Sequence, residues 1–90
     1  MMAMDGPSET APPQSIDRGR LAQLLDAAEL LREERPGLAG PLRVLRHDGA
    51  VLVQEESPAG EILLRARPDL DKANAFVDRR LRQYDKMWDG

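Results

Sequence analysis

The chain has 90 residues, of which 41 % are hydrophobic and 32 % charged, with no cysteine, a net charge of −3 and a pI near 5.1. That length accommodates one domain, the mixture is too apolar for a wholly disordered chain, and the lack of cysteine excludes disulfides and Cys-based zinc or iron–sulfur sites. The acidic balance argues against a general nucleic-acid binder, whose affinity rests on a cationic field and counterion release.

Residues 1–14 hold Pro7, Pro12 and Pro13 among Gly6, Ser8 and Thr10, without an apolar period. The expectation is a disordered leader, 1–14, ahead of a single α+β domain, 15–90. The leader has neither the cationic start nor the apolar core of a secretion signal, and no run of about 18 apolar residues occurs anywhere. The expected compartment is the cytoplasm, with no membrane contact.

A first helix is predicted from Ser15, whose hydroxyl can cap the first turn, to the stop at Pro36-Gly37. Leu21, Leu24, Leu25, Ala28 and Leu31 recur at helical spacing, while Leu30 falls opposite and is expected to be exposed. Three strands then follow at 41–46, 51–56 and 61–67. Asp48-Gly49 suits a two-residue hairpin turn and Ser57-Pro58-Ala59-Gly60 a second turn. The first turn pairs His47 with Ala50 and Val44 with Val53. Closing the second with Glu56 opposite Glu61 pairs Val53 with Leu64 and Val51 with Ala66. One face then collects Leu42, Val44, Val51, Val53, Ile62, Leu64 and Ala66, and the other holds a spot of Leu45, Leu52 and Leu63.

A second helix follows Pro68, with Asp69 as cap. Leu70, Ala73, Val77, Leu81, Tyr84 and Trp88 lie within a sector of roughly 80°, widened by Phe76 and Met87. The expected architecture is α-β-β-β-α: a three-stranded antiparallel meander with both helices packed on the valine face. A helix over 70–88 is about 28 Å long and a six-residue strand about 20 Å, so the helix should outrun its sheet by about 8 Å.

Side chains for catalysis are few. His47 is the one histidine, and the hydroxyls are Ser8, Thr10, Ser15 and Ser57, apart from Tyr84. None forms a nucleophile–base or metal-ligand pattern, so no catalytic residue, metal or cofactor is expected and no small-molecule substrate is evident. Glu55, Glu56 and Glu61 bracket the second turn and read as solvated. Lys72, Arg79, Arg82 and Lys86 gather on the outer face of the second helix, where phosphates could be met. Asp78 can pair with Arg82 there, and residues 69–90 balance five acids against five bases.

The α-β-β-β-α order over 15–88 is similar, as topology, to double-stranded-RNA-binding domains and to small messenger-RNA-cleaving toxins. That resemblance implies nucleic-acid contact through the second helix. RHDGA stands where the RNA-binding family has a glycine-proline-histidine stretch, and Asp69-Leu70-Asp71-Lys72 replaces its lysine cluster. His47 lacks the toxins' glycine-serine-histidine context.

The function expected from these features is a small non-catalytic protein-interaction module: an accessory subunit, adaptor or homodimer. Its partner would be another protein chain or a second copy. Contact would run through Tyr84, Met87 and Trp88 at the C-terminal end of the second helix, with Leu45, Leu52 and Leu63 as a second patch. The alternative is a nucleic-acid-binding domain using the basic face of that helix.

Overall fold

A computed structural model describes residues 13–36 and 40–89, the side chains of 87–89 excepted. The elements are β1 (Gln14–Ile16), α1 (Arg18–Ala27), β2 (Glu29–Glu34), β3 (Leu42–His47), β4 (Ala50–Glu56), β5 (Ile62–Arg67) and α2 (Leu70–Asp89). They build an α+β fold on a five-stranded sheet of order β1-β5-β4-β3-β2, antiparallel at every pair. The expected meander is its centre, β3-β4-β5. The edge strands come from segments expected to be leader and helix, which corrects both the three-stranded sheet and the likeness in topology to the RNA-binding and toxin folds.

The first helix is shorter at both ends than its apolar spacing predicts. Ser15 belongs to β1, opposite Leu63, and Gln14 pairs with Leu64, so the sheet takes in residue 14 as well. The helix cap is Asp17, whose carboxylate accepts the Arg20 amide at 2.7 Å. At the other end Ala28 is extended (φ −95°, ψ 159°), its N–H donating to the Leu24 carbonyl at 2.8 Å.

Glu29–Glu34 then runs as a strand although its residues favour helix. Pairing with the open edge of β3 satisfies backbone groups that a helix would have satisfied internally, and the charges match across the pair. Glu29 lies opposite Arg46 and Glu33 opposite Arg43, at 3.4 and 3.0 Å. A bulge between Leu30 and Arg32 adds one residue to β2. Leu31 packs against the core beneath α2, and Arg32 reaches Asn74 and Asp78 of that helix at 3.2 and 2.8 Å. Leu30 is 51 % exposed, as expected, but on an edge strand and not on a helix.

The first hairpin has the expected register, His47 to Ala50 and Val44 to Val53, with positive φ at both Asp48 (53°) and Gly49 (78°). The second turn closes one residue later than expected. Gly60 takes φ 90° and donates to the Ser57 carbonyl, while Ser57 donates to the Glu61 carbonyl, so Glu56 faces Ile62. A slip of one residue turns every side chain of β5 over. Arg65 and Arg67 pair with Val53 and Val51, and Ile62, Leu64 and Ala66 lie on the other face.

The two helices therefore occupy opposite faces, not one. Under α2, Leu42, Val44, Val51 and Val53 pack with Ala73 and Val77, flanked by Leu31, Leu70, Phe76 and Leu81. On the other face Leu24 and Ala27 of α1 share a groove with Leu52 and Leu64, and Arg18 pairs with Glu56 at 2.7 Å. Each face carries a helix, which is why the strands hold nearly continuous apolar runs such as Val51-Leu52-Val53 and Ile62-Leu63-Leu64. Among the described residues no helix is long and apolar enough to cross a membrane.

Candidate functional site: an arginine platform beside the second helix

The turned-over β5 places Arg65 and Arg67 against α2, where Phe76 projects from the flank of the apolar stripe. Both guanidiniums, with that of Arg80, lie over the Phe76 ring, their central carbons 4.8, 4.9 and 4.9 Å from its centroid. Guanidinium planes stack on aromatic faces and their alkyl stems cover apolar surface, so this strand can present arginine to a helix without leaving a void.

Glu55 supplies the balancing carboxylate. It was expected in a solvated turn, yet it is 5 % exposed beneath α2. Arg65 donates to its Oε1 and the Tyr84 hydroxyl to its Oε2 at 2.9 Å. Arg80 Nε stands 3.0 Å from Oε2, at ion-pair distance but without hydrogen-bond geometry. Burial, then the bond to Glu55, pushes the Tyr84 hydroxyl up to about 12, against the pull of Arg80 and Arg65.

Beside this buried cluster Arg67, Phe76, Arg79, Arg80 and Gln83 line a shallow concavity of about 230 Å³. Arg79 is exposed and makes no ion pair or hydrogen bond among the described residues. The expected Asp78–Arg82 pair does not form. Asp78 turns to Arg32 of β2, and its hydrogen bond is the largest cause holding the Arg32 guanidinium above its ordinary pKa. The acid that was to neutralise the basic face is committed to the opposite flank of the helix. This arrangement can bind an anion by charge-assisted hydrogen bonds, a carboxylate or phosphate being the natural fit.

The residues expected to bind a partner are dispersed. Tyr84 is buried within the monomer, and α2 continues five residues beyond it to Asp89, about 7.5 Å at 1.5 Å per residue. Met87 and Trp88 lie in that last turn, their side chains outside the described residues. Leu45 is buried and Leu52 half-buried on the α1 face, whereas the slip puts Leu63 on the α2 face opposite Glu55. Of the basic set, Arg79 joins the platform, while Lys72, Arg82 and Lys86 are exposed along α2. His47 Nε2 is 3.6 Å from Asp48 Oδ2 and lines the α1 groove. No group of three or more metal-ligating side chains occurs among the described residues.

Glu55, Arg65, Arg67 and Arg80 are the site residues that sequence reasoning missed. The alternation Arg65-x-Arg67 already placed two arginines on one face of the strand. Only the choice of turn decided which face, and a glycine at positive φ ending a three-residue loop was the available signal.

Comparison with known proteins finds no family model, no curated protein and no solved structure that matches this chain.

Proposed function

We propose that the chain is a small non-catalytic protein-interaction module, an accessory subunit, adaptor or homodimer, that meets an acidic surface with the C-terminal half of α2. The observation that supports this reading is the convergence of Arg65, Arg67 and Arg80 on Phe76, with exposed Arg79 lining an open concavity beside them. Arginine and aromatic side chains are enriched in protein interfaces, where a preorganised guanidinium meets carboxylates at low entropic cost. The last turn of α2, with Met87 and Trp88, extends the same end of the helix. The cysteine-free composition suits the cytoplasm.

The test uses a fluorescent glutamate-rich peptide as probe and light scattering for self-association. Arg79→Glu reverses an exposed charge, so the fold is expected to persist by circular dichroism while peptide binding or self-association weakens by at least tenfold. Trp88→Ala is expected to weaken the same association. Binding unchanged by Arg79→Glu would sink the proposal.

The alternative reading, nucleic-acid binding, draws on the loss of Asp78 from the basic face. Binding of duplex RNA that falls steeply with salt, and disappears when Arg79 and Arg82 are neutralised, would favour it over the acidic-protein reading.

A further inference from the structure

We propose that the groove between α1 and the sheet, on the face away from the arginine platform, is a binding site for a small monocarboxylate with an apolar body. The groove has a volume of about 410 Å³ and is lined by Ile16, Arg20, Gln23, Leu24, Ala27, His47, Leu52 and Leu64. That size falls within the range, roughly 300–1,000 Å³, of pockets that enclose small ligands.

The groove follows from how α1 crosses the sheet. β1 and β2 occupy opposite edges and run parallel, so the intervening helix spans four strand spacings, about 19 Å. Ten residues of helix give about 15 Å. A single short helix laid across five strands cannot cover all of them. Leu45 and Ile62 are buried on this face, while Leu52 and Leu64 remain half-buried along the uncovered side.

The chemistry of the lining selects the ligand. Leu24, Leu52, Leu64 and Ile16 offer an apolar lining, with Ala27 at the exposed rim, which calls for an alkyl or acyl body. Arg20 and Gln23, one turn apart on α1, bring a guanidinium and an amide to the mouth, with His47 on the strand side. The Arg20 side chain makes no ion pair or hydrogen bond among the described residues; its backbone amide is the group that Asp17 caps. Asp48 stands 3.6 Å from His47 and Asp17 shares an adjoining hollow with Arg20, but neither they nor Asp26 line the groove itself. Donors without a lining acid favour an anionic head, and the planar fork of arginine matches a carboxylate. The site is independent of the acidic-partner reading, since it lies on the opposite face.

Decanoate below its micellar concentration is the probe, followed by amide ¹H–¹⁵N shifts, with decanol as the uncharged control. Saturable shifts are expected at Leu24, Ala27, His47, Leu52 and Leu64 and not at Phe76, Arg79 or Gln83. Arg20→Gln should weaken decanoate about tenfold while leaving decanol unchanged, the loss of one charge-assisted contact. Ala27→Trp, at an exposed helix position on the rim, should fill the groove and abolish binding of both without unfolding the chain. Shifts that do not saturate, shifts centred on α2, decanoate held as tightly by Arg20→Gln as by the wild type, or binding that survives Ala27→Trp would each overturn the assignment.

Discussion

On one face of the sheet α2 runs for twenty residues over Leu42, Val44, Val51 and Val53, and the cover reaches the end of β4, where Tyr84 meets Glu55. On the other face α1 has ten residues, crosses from edge to edge, and leaves Leu52 and Leu64 beside an open groove. The difference lies in direction as much as in length. A helix that follows a short hinge such as Pro68-Asp69 can fold back along the strand it leaves. A helix that must join opposite edges of a sheet crosses the strands and can shield only the band beneath it. The face with the long helix accommodates charge inside its cover, and the face with the short helix leaves apolar surface outside it.

This contrast can be broken at the buried carboxylate first. Glu55→Ala leaves Arg65, with an 11 % exposed side chain, and Arg80 without their shared counter-charge and removes the acceptor of the Tyr84 hydroxyl. Breaking a buried ion pair from one side costs about 3–5 kcal/mol, a large part of the stability of so small a domain, so the variant should be largely unfolded in chemical denaturation. A loss below about 1 kcal/mol would mean that α2 does not enclose this cluster.

Tyr84→Phe gives a smaller effect with a sign in pH. The folded hydroxyl, raised from its ordinary value of 10.0 to about 12, keeps its proton where the unfolded chain releases it. This contribution is complete below pH 10 and is lost as pH rises towards 12, amounting to about 2–3 kcal/mol at 1.36 kcal/mol per unit. Wild-type stability should therefore fall more steeply than that of Tyr84→Phe between pH 10 and 12. Parallel curves would place the hydroxyl in water.

The smallest effect is expected at the β2 edge of the sheet. Leu30→Thr, at a half-exposed position on β2, should raise stability by a few tenths of a kcal/mol if residues 29–34 are a strand, because β-branched residues suit an edge and leucine suits a helix. A fall of about 0.5 kcal/mol is what a helix there would give.

The part that was legible in the sequence is the part governed by local chemistry. Asp48-Gly49 specified a two-residue turn, and that turn specified the β3–β4 register through Val44 and Val53. The stripe from Leu70 to Tyr84 specified the buried face of α2. Glu29–Glu34 was not legible by propensity, since its residues favour helix. The clue lay in a cross-strand match, Glu29 with Arg46 and Glu33 with Arg43, which has meaning only once β3 is known to have an open edge. The arginine platform was hidden by one residue of loop length at Gly60, because the period-two geometry of a strand converts that single count into a choice of face.

Spacings within about twenty residues therefore sufficed for the α+β class, the β3–β4 hairpin and the amphipathic second helix. Long-range contacts settled that β1 and β2 extend the sheet, that the helices lie on opposite faces, and that Glu55 is buried while Asp78 turns to Arg32. Each of those outcomes depends on a partner distant in the chain: an unpaired strand edge, an uncovered sheet face or a buried counter-charge. No local spacing carries that information.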